Sequence, residues 1–245
     1  LKIKATVDRM YVIFPFEVEF YKKYGYKVTY VGNPLMDAIH EFSADSDFKA
    51  KNNLENKKII ALLPGSRKQE VMGTLDTMLS IQAAFPDHEF VIAAVRSLPE
   101  VVYEKYQSLP NVTVVFEGTY DLLSVAEAAI VTSGTATLET ALFSVPEVVC
   151  YRTSTISYTI AKNLIRVPYI SLANLIMEKE AVRELIQDDF SSKQLDAELR
   201  AILPGGTKRA TMLDDFRQLQ AKVGGPGASQ RAGASMVGYL KEEIG

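Results

Sequence analysis

The 245-residue chain has no tryptophan, one cysteine and two histidines. With Cys150 alone, an internal disulfide is excluded, and the composition suits a reducing compartment. One cysteine with His40 and His88 is too few for a structural zinc site. No acidic cluster stands out as a metal site, so neither metal nor other cofactor is expected. Positive charge is not in excess either. Lys and Arg number 27 against 30 Asp and Glu, a net charge of -3, which gives no basic field to attract nucleic acid. Long hydrophobic runs are missing, so no membrane-crossing helix is expected. Residues 1–10 do not show the basic region and apolar run of a secretory leader. His40 and His88 fall in polar stretches and are read as surface residues.

What is present is enough apolar material, 47% of residues, for a sizeable core. Strand-like runs alternate with helical patterns, which predicts an α/β fold built on a parallel sheet. Tyr11-Val-Ile-Phe14 and Val28-Thr-Tyr-Val31 read as strands around a short helix that follows Pro15 and stops at Gly25. The polar stretch 43–57 reads as a linker. Beyond it, the strands are Lys58 to Leu63, Glu89 to Val95, Val112 to Phe116, Ala129 to Thr132 and Val148 to Tyr151. Each is separated from the next by a helical pattern, as in a Rossmann-like, doubly wound sheet. From Ser157 onward the pattern reads as mostly helical. Helices are predicted over Thr207 to Lys222, with Met212, Leu213, Phe216 and Leu219 on one face, and over Ala228 to Lys241. The domain reading is therefore 1–42, linker 43–57, nucleotide-binding domain 58–206 and C-terminal helices 207–245.

Ligands of open parallel sheets bind beyond the carboxyl ends of the strands. Two segments there suit anions. In Leu63-Pro-Gly-Ser-Arg-Lys-Gln-Glu70, Gly65 admits close backbone approach, Ser66 is a candidate helix cap, and Arg67 offers a fork of donors suited to phosphate. In Thr132-Ser-Gly-Thr-Ala-Thr-Leu-Glu139, a helix opens with Ser133, Gly134, Thr135, Ala136 and Thr137. Such an end carries partial positive charge and free N–H groups. Glu139 lies within reach of a ribose. Each segment alone reads equally well as an ordinary strand-to-helix turn; the pair together describes a nucleoside-diphosphate site. Neither is the G-x-G-x-x-G of dinucleotide binders, which lowers the case for NAD.

These motifs occur in an order and at spacings that resemble the lipid-A-disaccharide synthase family. The match runs from Phe14-Pro-Phe-Glu17 and Val31-Gly-Asn-Pro34, through Leu63 to Glu70 and Ser133 to Glu139, to Tyr151-Arg152, Tyr169 to Leu172 and Asn174-Leu175. The resemblance implies a GT-B fold, two Rossmann-like domains about a cleft. It also implies metal-independent, inverting transfer from UDP-2,3-diacylglucosamine to 2,3-diacylglucosamine 1-phosphate. By that likeness Arg67 and the turn from Ser133 to Thr137 would hold the UDP diphosphate, and Glu139 the ribose. Tyr151 and Arg152 would flank the cleft, and Asn174 would lie at the donor site, although Ala173 stands where the family has Pro.

The family has further N-terminal residues, including an acidic one thought to act in catalysis, with no counterpart here. The front of the N-terminal domain is therefore expected to be missing, and the chain alone to bind nucleotide without turnover. Glu17 is the one acid of the N-terminal stretch considered for a base, and it is not assigned. Acylated substrates imply a peripheral enzyme on the cytoplasmic face of the inner membrane of a Gram-negative bacterium. The apolar stretch from Ile156 to Tyr169, with Lys162 and Arg166 interleaved, reads either as a surface for anionic lipid or as a helix packed on its own core or on the second subunit of a homodimer. The alternatives are another GT-B UDP-sugar enzyme, such as a UDP-N-acetylglucosamine transferase or epimerase, and a non-catalytic nucleotide-binding module.

Overall fold

The computed structural model describes residues 2–153 and 168–244. It divides the chain into two units, Ala44–Arg217 and Leu1–Ser43 with Gln218–Gly245.

The larger unit is built on six parallel strands: β3 (Lys58–Leu63), β4 (His88–Ala94), β5 (Val112–Phe116), β6 (Ala128–Thr132), β7 (Glu147–Tyr151) and β8 (Arg183–Ile186). In space they run β5-β4-β3-β6-β7-β8. Strands β3, β4, β6 and β7 are nearly continuous apolar runs because helices cover both faces of a parallel sheet. On one face, alternate residues Ile59, Ala61 and Leu63 of β3 pack with Val91, Val131, Leu122 and Leu123. Phe48 and Leu54, inside the polar stretch 43–57, are buried in the same cluster. On α5 (Lys68–Leu79), Val71, Leu75 and Met78 are buried at helical spacing, as are Leu195 and Leu199 on α10 (Ser192–Ile202).

The strands that sequence patterning predicts from Lys58 to Tyr151 lie within a residue of their expected bounds. One strand departs from expectation. β8 falls in a stretch read as helical, because Arg183-Glu-Leu-Ile186 is four residues long with two charges, and only Leu185 is buried. As the last strand in the order it pairs, among the described residues, on one side only, with β7, so it needs no apolar run. His88 is also not a surface residue. Its side chain is 14% exposed, edge-on to Phe85 and 3.4 Å from Glu127. His40 is exposed.

In the smaller unit, β1 (Tyr11–Val12) and β2 (Thr29–Tyr30) pair in parallel. Between them lies α2 (Pro15–Lys22), which opens on Pro15, a residue pre-set for the first helical turn. Glu17 is used structurally there: its carboxylate accepts the backbone N–H of Phe14 at 2.9 Å and of Ile13 at 3.1 Å. α3 (Pro34–Glu41) is capped by Asn33, whose side chain accepts the Leu35 N–H at 2.9 Å. Asp37 on α3 in turn accepts N–H groups of Gly227, Ala228 and Ser229, the opening of α12 (Ala228–Ile244). No helix among the described residues is long and apolar enough to cross a membrane.

Candidate active site

The strand order reverses between β3 and β6: β4 and β5 lie on one side of the pair, β7 and β8 on the other. In an open α/β sheet this reversal opens a crevice at the carboxyl ends. The register pairs Leu63 with Val131, so the two anion-suited turns leave the sheet from neighbouring strands. They share one cleft of about 410 Å³, lined by Gly65, Ser66, Arg67 and Glu70 on one side and by Thr132 to Ala136 with Glu139 on the other.

The first turn departs from expectation in its capping. Arg67, not Ser66, occupies the N-cap of α5, with extended φ and ψ of -104° and 138°. Glu70 reaches back to accept the Arg67 N–H at 3.2 Å and one guanidinium N–H at 2.8 Å. Ser66 is left exposed in the cleft wall. Gly65 sits at φ +96°, and a Cβ there would meet a Glu70 carboxylate oxygen at 2.4 Å. The glycine therefore makes room for the carboxylate that orders the turn. The Arg67 side chain is 82% exposed, and most of its donors stay available to a ligand.

The second turn opens α8 (Thr135–Leu142), with Gly134 at the N-cap. Ser133 is drawn backward: its hydroxyl donates to the Ile170 carbonyl at 3.0 Å, and its N–H donates to Cys150 O at 3.0 Å. Thr137 is buried, with its hydroxyl on Gly134 O at 2.9 Å. The groups left for an anion are the Thr135 and Ala136 N–H groups and the exposed Thr135 hydroxyl, the Thr137 N–H being on Gly134 O at 3.3 Å. A Cβ on Gly134 would meet nothing within 4 Å, so the approach is open.

Three residues not assigned a role from the sequence belong here. Thr132 is 5% exposed, lines the cleft, and its hydroxyl has no hydrogen-bond partner among the described residues. Thr119 lines the cleft at the start of α7 (Thr119–Val125). Next to it, the Tyr120 hydroxyl donates to Glu139 at 2.7 Å. Burial, and then this bond to a carboxylate, hold the Tyr120 phenol well above its ordinary pKa, so it remains a donor. A strand end followed by a helix start is the one sequence signal that could have found Thr119 and Tyr120.

Three expected members, Tyr151, Arg152 and Asn174, do not line this cleft. Arg152 donates to Thr77 Oγ1 at 2.9 Å and to Phe190 O at 2.5 Å, and its guanidinium lies over the Phe190 ring. It lines a separate recess with Gln187 and Ser191, and neither it nor Tyr151 lines the cleft. Asn174 is fully buried on α9 (Leu172–Met177). Its Nδ2 donates to Val182 O and Glu184 Oε1, both at 2.9 Å, and its Oδ1 accepts the N–H groups of Ala181 and Val182. Every polar valence is taken by protein, which leaves none for a donor ligand. The stretch from Ile156 to Arg166, with Lys162, lies outside the described residues.

The sequence profile described as lipid-A-disaccharide synthetase matches residues 1–233. The chain belongs to this family. It is 36% identical to the lipid-A-disaccharide synthase of Syntrophus aciditrophicus strain SB, covering 98% of this chain and 65% of that protein. It is 33% identical to that of Geobacter sulfurreducens, covering 99% and 65%. The chain thus spans about two-thirds of the length of these relatives. Among solved structures, a putative UDP-N-acetylglucosamine 2-epimerase from Listeria monocytogenes superposes with a TM-score of 0.62 at 16% identity, over 96% of this chain and 60% of that one. The wall teichoic acid polymerase TagF gives 0.58 at 15% identity, over 97% and 57%. At those identities the likeness is one of fold, GT-B-type and Rossmann-like.

Proposed function

We propose that this chain carries the sugar-nucleotide-binding part of a lipid-A-disaccharide synthase. The donor is UDP-2,3-diacylglucosamine and the acceptor 2,3-diacylglucosamine 1-phosphate; the products are the β-1,6-linked disaccharide 1-phosphate and UDP. The observation that carries this reading is the convergence of the Gly65–Arg67 turn and the opening of α8 on one cleft at the strand-order reversal.

In such a transfer the acceptor hydroxyl attacks the anomeric carbon and loses its proton to a base, while UDP departs. No residue of this chain is assigned as that base. Charge builds on the leaving diphosphate. The Arg67 guanidinium and the N–H groups of α8 would offset it without reorganising. Glu139, held by Tyr120, would accept the ribose hydroxyls. The acylated substrates would be met at the cytoplasmic face of the inner membrane.

Calorimetric titration with UDP, against ADP, GDP and NAD, tests the reading. UDP should bind selectively. Arg67→Ala should weaken it about 10- to 100-fold, the loss of charge-assisted hydrogen bonds to phosphate. Unchanged affinity in Arg67→Ala, or preference for another nucleotide, refutes the assignment.

A further inference from the structure

Behind the Ser133 turn lies a network that the proposed chemistry does not touch. The Glu184 carboxylate, on β8, accepts the Ile170 N–H at 3.1 Å, the Ser171 N–H at 2.9 Å and the Ser171 hydroxyl at 2.7 Å. It also accepts an Asn174 Nδ2 proton at 2.9 Å, and Asn174 is itself locked by Ala181 and Val182. Ser171 and Asn174 are fully buried, and none of the three side chains lines the cleft. The peptide joining Ile170 to Ser171 therefore has its N–H on Glu184 and its C=O on the Ser133 hydroxyl. A trans peptide is planar, with N–H and C=O pointing in opposite directions, so fixing one end aims the other. Hydrogen bonds in series also polarise one another.

We propose that Glu184 is a positioning residue for the diphosphate cradle: through the Ile170–Ser171 peptide it straps Ser133, and so aims the N–H groups that open α8. Asn174 acts one step further back, by holding the carboxylate in place. The Ser133 hydroxyl then serves as the strap and not as a phosphate donor, its proton being committed to Ile170. This inference rests on the donor-site reading above.

The test has one arm without ligand and one with it. Amide hydrogen exchange of the peptide spanning residues 133–138 should quicken in Ser133→Ala and in Glu184→Gln, and Ser133→Thr, which keeps a hydroxyl, should restore it. With ligand, Ser133→Ala and Glu184→Gln should each weaken UDP binding about 10-fold, and the two combined by about the same factor, not about 100-fold, because both break one strap. Uridine, which has no phosphate, should bind all variants equally. Thermal melting reports folding. Should Glu184→Gln not fold, Glu184→Asp takes its place in both arms, since it keeps the charge but draws the carboxylate back from the Ile170–Ser171 peptide. Additive losses, equal weakening of uridine, or unchanged exchange at the turn would each overturn the proposal. If the unmodified chain does not bind UDP, the donor-site reading fails, and the exchange arm alone decides whether the strap exists.

Discussion

Glu147 opens β7 with its carboxyl group fully buried, and neither carboxyl oxygen has a hydrogen-bond partner among the described residues. Burial alone pushes its pKa well above the ordinary carboxylate range. A buried polar group left without a partner costs about 1–3 kcal/mol. Glu147→Met keeps the length of the side chain and removes both oxygens, so it should stabilise the chain by about that amount, or roughly 2–10 °C in Tm for a chain of this size. The sign of the pH dependence follows from the raised pKa. The folded protein holds a proton that the unfolded chain has lost, so wild-type stability is fully present below the unfolded pKa of about 4.3 and falls as pH rises toward the folded value. Glu147→Gln cannot ionise and should lose that slope while keeping the unsatisfied polar atoms. Urea unfolding of the three proteins from about pH 5 to pH 8 separates the two contributions. Equal slopes in wild type and Glu147→Gln, or a less stable Glu147→Met, would show that the carboxyl group is solvated or paired and would refute the reasoning.

Three other outcomes are expected. Gly65→Ala places a Cβ at φ +96° and against the Glu70 carboxylate, so it should cost more than about 1 kcal/mol in thermal melting and weaken UDP binding with it. Tyr120→Phe releases the Glu139 carboxylate and should narrow the preference for UDP over 2′-deoxy-UDP in parallel titrations, with little change in fold. Asp37 is held down to about pKa 2 chiefly by the N–H of Ser229, with further bonds from Gly227 and Ala228. Its contribution is present above the unfolded carboxylate pKa and lost as pH falls through about 2, and Asp37→Asn should free the start of α12 to protease cleavage near Gly227 already at neutral pH.

Much of the larger unit is legible in one dimension because burial on both faces of a parallel sheet forces unbroken apolar runs, as in Ile59 to Leu63 and Phe90 to Ala94. The glycine, hydroxyl and arginine residues after two of those runs mark the turns proposed to bind an anion for a similar local reason: a helix start needs extended backbone and leaves N–H groups free. Edge strand β8 escapes this reading because a strand paired on one side need not be apolar.

Strand order is decided in three dimensions. Nothing local says that β6 lies beside β3 while β4 and β5 lie on the far side, yet that order alone brings Arg67 and the opening of α8 to one cleft. Residue type does not show which valences the fold consumes. Every polar valence of the Asn174 side chain is used within the protein, whereas Ser133 and Arg152 each commit part of theirs, to Ile170 and to Thr77 and Phe190. The amino-acid order thus determined which turns could receive a diphosphate, through backbone chemistry a few residues long. Only tertiary packing decided which side chains line the cleft and which are spent holding the turns, because hydrogen-bond partners distant in sequence compete for the same donors and acceptors.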